Sequence, residues 1–319
     1  MKALTAVALV LSGASVAHAQ GYPVKSIRIV VPFAPGGNVD INARSVAPGL
    51  TELLGQPVVV DNRAGAGGMI GSELVVKGPA DGYTLLMASN SIYSVAPSLF
   101  PKCPYHPVRD FAPVSTITSV PFVLIVHPSV PARDVKEFVA LAKANATKMS
   151  FASAGVGTTN HLVAELFQMR VGTRLVAVPY KGSGPALIDL MGGQVDVHVD
   201  QMTSSMGYIR SGKVRAIGVT TGKRSAMLPD VATLAEQGLP GFDATTLTGI
   251  VAPAATPKDA IDRLHAALQK VLAQPAVRDR FTSLGADTVG STPAEFAAYI
   301  KEDFAKWSKV VKDANIKVD

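Results

Sequence analysis

One feature constrains this chain more than any other: short β-branched runs alternate with longer stretches of helical apolar spacing. Candidate strands are Ile27 to Pro32, Pro57 to Asp61, Tyr83 to Ala88, Phe122 to His127, Met149 to Ala152, Leu175 to Pro179, Val195 to Val199, Arg215 to Val219 and Thr246 to Ala252. Between them lie helix-like stretches at Asp40 to Leu54, Met69 to Lys77, Asp134 to Asn145, His161 to Arg170, Ala186 to Met191, Lys258 to Ala273 and Pro293 to Asp313. A helix between two strands returns the chain so that the second strand starts beside the first and runs the same way. The alternation therefore predicts an α/β fold with mostly parallel sheets covered by helices. Pro48-Gly49 falls inside the first helix and predicts a kink or a split there.

Two passages share one plan. "FVLIVHPSVPARDVKEFVALAKA" from Phe122 and "TGIVAPAATPKDAIDRLHAALQKVLA" from Thr248 each run apolar strand, proline turn and amphipathic helix. Such a pair suits a chain that crosses from one domain to another and back, although two ordinary α/β units can also look alike. The 319 residues, 48% hydrophobic and 17% charged, are enough for two cores.

The N-terminus reads as a secretory leader. Met1-Lys2 is a short positive start, Ala3 to Leu11 an apolar run, and Ala17-His18-Ala19 a small-residue cleavage site before Gln20. No later segment reaches the roughly 20 apolar residues of a membrane span. The expectation is a periplasmic protein starting near residue 20. Its lone Cys103 can form no internal disulfide and reads as a small core residue. The net charge of +6 loses Lys2 with the leader, and no arginine-rich run or interleaved aromatics accompany it, so no nucleic-acid partner is expected.

The strand ends carry the candidate chemistry. "PFAPGGNVDI" places Gly36-Gly37 before a helix, either as a plain turn or as a cradle of free N–H groups at the positive end of a helix dipole. If it is a cradle, a β-branched residue at Gly37 should block backbone approach. "DNRAGAGGMIGSE" gives only Gly65-x-Gly67-x-x-x-Gly71, a degenerate dinucleotide fingerprint. "SNSIYS" begins at Ser89-Asn90, and "ASAGVGTTNHL" brings Ser153, Thr158, Thr159 and Asn160 to a helix start. His161 there could serve a ligand or simply pack. "PYKGSGPA" holds Lys181 and Ser183, and Asp200 ends a strand as a cap or a ligand acceptor. No histidine pair has metal-ligand spacing, and there is no G-x-S-x-G elbow or P-loop, so no metal, cofactor or catalysis is expected.

The whole mature chain resembles the extracytoplasmic binding proteins of the tripartite tricarboxylate transporter family, the Bug receptors. The resemblance rests on "YPVKSIRIVVPFAPGGNVDI", "LGQPVVVDNRAGAGGMIGSE", "DGYTLLMAS", "YHPVRDFAPVS", "FASAGVGTTNHL", "VPYKGSGPALIDLMGGQVDV", "GKVRAIGVT", "LPDVATLAEQGLPGF", "APAATPKD" and "STPAEFAAYIKEDFAKW". It implies a two-lobed, type II-like periplasmic-binding-protein fold whose lobes, each a mostly parallel sheet flanked by helices, are joined by two crossover strands. The implied division is 1–19 leader, 20–121 plus 245–319 lobe 1, and 122–244 lobe 2.

The resemblance also implies capture of a small organic acid (a dicarboxylate, tricarboxylate or aromatic carboxylate) by a monomer that serves membrane transporter subunits. Alternatives are a receptor for a sensor protein or a periplasmic enzyme on the same scaffold. By the same resemblance the ligand is held by Phe33, Ala34, Gly36, Gly37 and Asp40, with Ser89 and Asn90, from one lobe. Ser153, Thr158, Thr159, His161, Lys181 and Asp200 face it from the other. The family's first loop usually reads Pro-Ala-Gly-Gly-Gly-Thr-Asp. Here Val39 lacks the hydroxyl and Asn38 adds an amide.

Overall fold

A computed structural model describes residues 21–145 and 148–313; the expected leader at residues 1–19 lies outside them. The chain runs β1 (Ile27–Val31), α1 (Asn38–Leu54), β2 (Val58–Asn62), a 3-10 turn (Ala66–Gly68), α2 (Met69–Val76), β3 (Thr84–Ser89), a π-helical turn (Ser91–Val95) and α3 (Ala96–Leu99). It continues through β4 (Phe111–Val126), α4 (Val135–Asn145), β5 (Ser150–Ser153), α5 (Thr159–Val171), β6 (Val176–Pro179), α6 (Ser183–Met191), β7 (Val197–Gln201), α7 (Met202–Arg210) and β8 (Arg215–Val219). It closes with β9 (Thr245–Pro253), α8 (Lys258–Ala273), α9 (Pro275–Ser283), β10 (Asp287–Thr288) and α10 (Pro293–Asp313).

The strands join in the order β2-β1-β3-β9-β4-β7-β5-β6, with β8 and β10 also on β4. The expected parallel pairing holds only towards the two ends, where β1 joins β2 and β3, and β5 joins β6 and β7. The middle is antiparallel: β9 on β3 and β4, and β7 and β8 on β4. The sheet is therefore mixed, because β4 and β9 carry the chain in opposite directions through the centre.

β4 is the pivot of the architecture. Its first part pairs with β9 from Phe111 opposite Pro253 to Pro121 opposite Thr245. From Phe122 onwards it changes partners to β7 and β8. Thr220 ties the crossing points together: its hydroxyl donates to the Ala244 carbonyl at 2.6 Å and accepts from the Phe122 N–H at 3.0 Å. One buried apolar cluster, from Phe122 and Leu124 to Phe242, is drawn entirely from residues 122–244. The strand-turn-helix plan read at Phe122 and Thr248 appears as β4 into α4 and β9 into α8.

α1 is not split by Pro48 and runs unbroken from Asn38 to Leu54. Val46, Ala47 and Leu50 are buried beside the proline, and α8 packs along the helix. That burial outweighs one lost helical hydrogen bond. In α8, Ile261, Leu264, Leu268, Val271 and Leu272 fall on one buried face at helical spacing.

Candidate functional site

Four helix starts converge where the first and second halves of the sheet meet. They enclose a cavity of about 20 Å³, enough for a single water molecule. Gly37, the residue before α1, lines it with Phe33, Asn38 and Val39. Thr158, before α5, brings Ala154 and Asn160; Gly182, before α6, brings Ser183; Gln201 precedes α7. Ser89, at the end of β3, and Ser91, in the π-helical turn, complete the wall.

The electrostatics follow from these helix ends. Only α5 has a side-chain cap, from Thr158 to the N–H of His161; α1, α6 and α7 have none. Their first N–H groups are the orphan donors every helix start leaves, and the helix dipoles make this end positive. No Lys, Arg or His lines the cavity, and no Asp or Glu does either. An anion placed here meets dipoles and neutral donors rather than an opposing charge.

Behind the wall the amides are locked. Asn160 and Gln201 exchange two side-chain hydrogen bonds of 3.0 Å, and Asn160 also donates to the Val199 carbonyl at 3.0 Å. Asn38 donates to Thr248 Oγ1 at 3.0 Å and accepts from Asn42 at 2.9 Å. Such reciprocal pairing fixes the direction of each amide.

The two halves also bond directly to one another. The Ala34 N–H donates to the Lys181 carbonyl at 2.9 Å, and Thr203 Oγ1 donates to Asn38 Oδ1 at 2.7 Å. Ser91 Oγ accepts from the Thr159 N–H at 3.0 Å and lies 3.1 Å from its hydroxyl. Two glycines let the backbones meet. A Cβ added at Gly67 would lie 2.5 Å from the Val156 carbonyl oxygen, and one at Gly184 would overlap the Pro35 carbonyl oxygen. The glycine loop at Gly65 to Gly71 thus includes a contact across the seam.

Of the residues the resemblance nominates, Phe33, Gly37, Ser89 and Thr158 line the cavity. Ala34, Lys181 and Thr159 belong to the seam, Lys181 through its carbonyl while its side chain is exposed. Asp40 turns into its own loop, accepting from the Gly36 N–H at 3.0 Å, from Arg44 and from Asn62. Asn90 is taken up by Asp303 at 2.7 Å, Tyr299 at 2.9 Å and the Leu247 N–H at 2.6 Å. Ser153 accepts from the Gly155 N–H. Asp200 is wholly buried one layer back, accepting from Ser204 at 2.6 Å with His198 Nε2 3.5 Å away.

Asn38, Val39, Ser91, Ala154, Asn160, Gly182, Ser183 and Gln201 line the cavity although the resemblance does not nominate them. Their shared signal was position at a helix start. Gly37 has φ −86°, and a Cβ there would meet Ser183 at an ordinary 3.6 Å.

His161 is not part of the cavity wall; it stacks on Phe151 at 6.4 Å, with Glu165 at 3.8 Å. Burial pulls its pKa below the usual 6.5, and Glu165 opposes that only in part. The unfolded chain therefore takes up the proton at higher pH than the folded one, so stability falls as pH drops below 6.5. Thermal melts at about pH 7.5 and about pH 5.5 should show this fall, and His161→Phe should flatten part of it. Equal pH slopes in the two proteins would remove His161 as a cause.

Among the described residues no group of three or more His, Cys, Asp or Glu is placed to hold a metal ion. No helix among them is long and apolar enough to cross a membrane.

Comparison with known proteins places this geometry. BugT of Bordetella pertussis is 40% identical over 301 residues, 94% of this chain and 92% of the relative. The solved periplasmic binding protein BugD is 38% identical with a TM-score of 0.90, covering 93% of this chain and 99% of that one. MatC from Rhodopseudomonas palustris, solved with bound malate, is 35% identical with a TM-score of 0.88, over 91% and 100% of the two chains. The model of the tripartite tricarboxylate transporter family receptor matches residues 42–316. With whole-chain likeness in sequence and in fold, this protein belongs to that family of receptors.

Proposed function

We propose that the protein captures a small organic carboxylate between its two lobes in the periplasm and presents it to a tripartite tricarboxylate-type membrane transporter, without catalysis. The observation that carries this reading is the convergence of four helix starts, three of them uncapped, on a cavity with no charged side chain in its wall. Backbone N–H groups and helix dipoles favour an anion there without a neutralising residue. MatC, related along its whole length, holds malate. Ser89, Ser91 and Ser183 line the cavity with no histidine beside them to act as base, which favours a receptor over a hydrolase.

A cavity of about 20 Å³ is smaller than any dicarboxylate, so capture requires the lobes to part and close again. We place the hinge where β4 changes partners between Pro121 and Phe122 and where the chain returns at Ala244 and Thr245. On this reading lobe 2 is residues 122–244.

A thermal-shift screen tests the ligand class. An acid present at 100 times its Kd adds about 2.7 kcal/mol. For a chain of this size that raises Tm by roughly 4 °C. Malate, adipate and aromatic acids are the first candidates, and sugars and amines should leave Tm unchanged. A flat response to acids, with sugars or amines scoring instead, overturns the carboxylate reading.

A further inference from the structure

A second concavity lies on the outer side of residues 122–244 and shares no residue with the cavity between the lobes. It is an open trough of about 500 Å³. One wall is a single face of α4: Lys136, Val139, Ala140 and Lys143 stand at i, i+3, i+4 and i+7. Arg170, in the last turn of α5, forms the other wall, and the buried Leu239 contributes to the floor.

The charge of this trough is one-sided. Its lining holds Lys136, Lys143 and Arg170 and no acidic residue. Elsewhere in the chain Arg44 is neutralised by Asp40 four residues before it, and Lys258 by Asp262 four residues after it. Neither Lys136, Lys143 nor Arg170 enters an ion pair among the described residues; Arg170 donates only to the Pro240 carbonyl at 3.4 Å. Glu137, the acid nearest to them on α4, caps the backbone N–H of Arg133 instead. Two unneutralised lysines two helical turns apart, with an apolar pair between them, match an acidic occupant with an apolar centre.

The spacing selects the kind of occupant. Seven helical residues rise about 10 Å, beyond the reach of the carboxylates of a short diacid. Small-molecule sites bury most of their ligand under converging polar groups, whereas this trough is open to solvent. We propose that it docks an acidic amphipathic helix of a partner protein, with carboxylates two turns apart flanking an apolar pair.

The test uses the full chain and a fluorescent synthetic helix with the pattern Glu-x-x-Leu-Leu-x-x-Glu, read by anisotropy at low salt. The peptide should bind, and its Gln-for-Glu twin should bind at least about tenfold more weakly. The double variant Lys136→Glu/Lys143→Glu should lose binding to the same extent while its Tm and its response to carboxylates stay unchanged, because both side chains are exposed. A second variant, Val139→Glu, should lose binding through the apolar pair of the α4 wall alone. Equal binding of the twin, full binding by the charge-reversed variant, or no binding of the acidic peptide overturns the proposal. So does adipate displacing the peptide from the trough, which would assign the site to a free acid. The carboxylate screen reads a different cavity, so it can succeed while this test fails.

Discussion

Gly184→Ala is expected to leave both lobes folded while weakening capture of the organic acid by about 30-fold. Gly184 lies in the first turn of α6, where alanine is a better helix former than glycine, so lobe 2 has no local reason to lose stability. The damage is across the seam. The added Cβ would occupy the space of the Pro35 carbonyl oxygen, and the two backbones cannot both stay where they are. Moving them apart stretches the hydrogen bond from Ala34 to Lys181 and the contact of Ser91 with Thr159. Each is worth about 1 kcal/mol, and the helix starts on the two sides separate together. Calorimetry with the acid that scores highest in the thermal screen measures the loss, and a melt without ligand checks the fold. Full affinity in a folded Gly184→Ala protein would show that capture does not need the closed seam.

Asn160→Asp probes the sign of the field inside the cavity. The substitution keeps the shape of the side chain, removes the donor to Gln201 and Val199, and puts a negative charge into a wall that has none. A like charge about 4 Å from a bound carboxylate costs about 4 kcal/mol at an effective dielectric of about 20, roughly three orders of magnitude in affinity. The loss should be larger at pH 8 than at pH 6. The new carboxyl sits near the buried Asp200 and beside an anionic ligand, and both raise its pKa, so acid partly neutralises it. Asn160→Ala separates charge from lost hydrogen bonds: it should weaken binding less, and without that pH dependence. Equal losses in the two variants at both pH values would mean that the ligand's charge does not face α5.

The α/β class and most elements were legible because apolar periodicity is local. α8 and α10 match their predicted limits, and β8 matches to the residue. The first part of β4 was not legible. "FAPVSTITSVP" mixes prolines and hydroxyls that read as loop, yet Pro113 fits a strand whose register shifts beside it, and Ser115, Thr116 and Thr118 are buried. α7 was hidden by serines, a threonine and a glycine of low helix propensity, and its burial against neighbouring elements overrides that preference.

The site was legible as places and not as side chains. Glycine and hydroxyl residues at helix starts mark where N–H groups are free, and those starts do converge. Which polar side chain faces inward depends on partners distant in sequence. Asn90 is held by Asp303, 213 residues away, and Asp40 by its own loop. Asn160 faces the cavity because Gln201, 41 residues on, fixes its amide.

The strand order has a consequence for how this chain can be assembled. β9 lies between β3 and β4, so an inner strand of the sheet is made only after residues 122–244. No fragment ending before Thr245 can close that sheet, however much of it is already made. The apolar cluster drawn from residues 122–244 has no such gap in the chain. That cluster can be completed from contiguous sequence, while the β1–β3 side of the sheet must wait for β9.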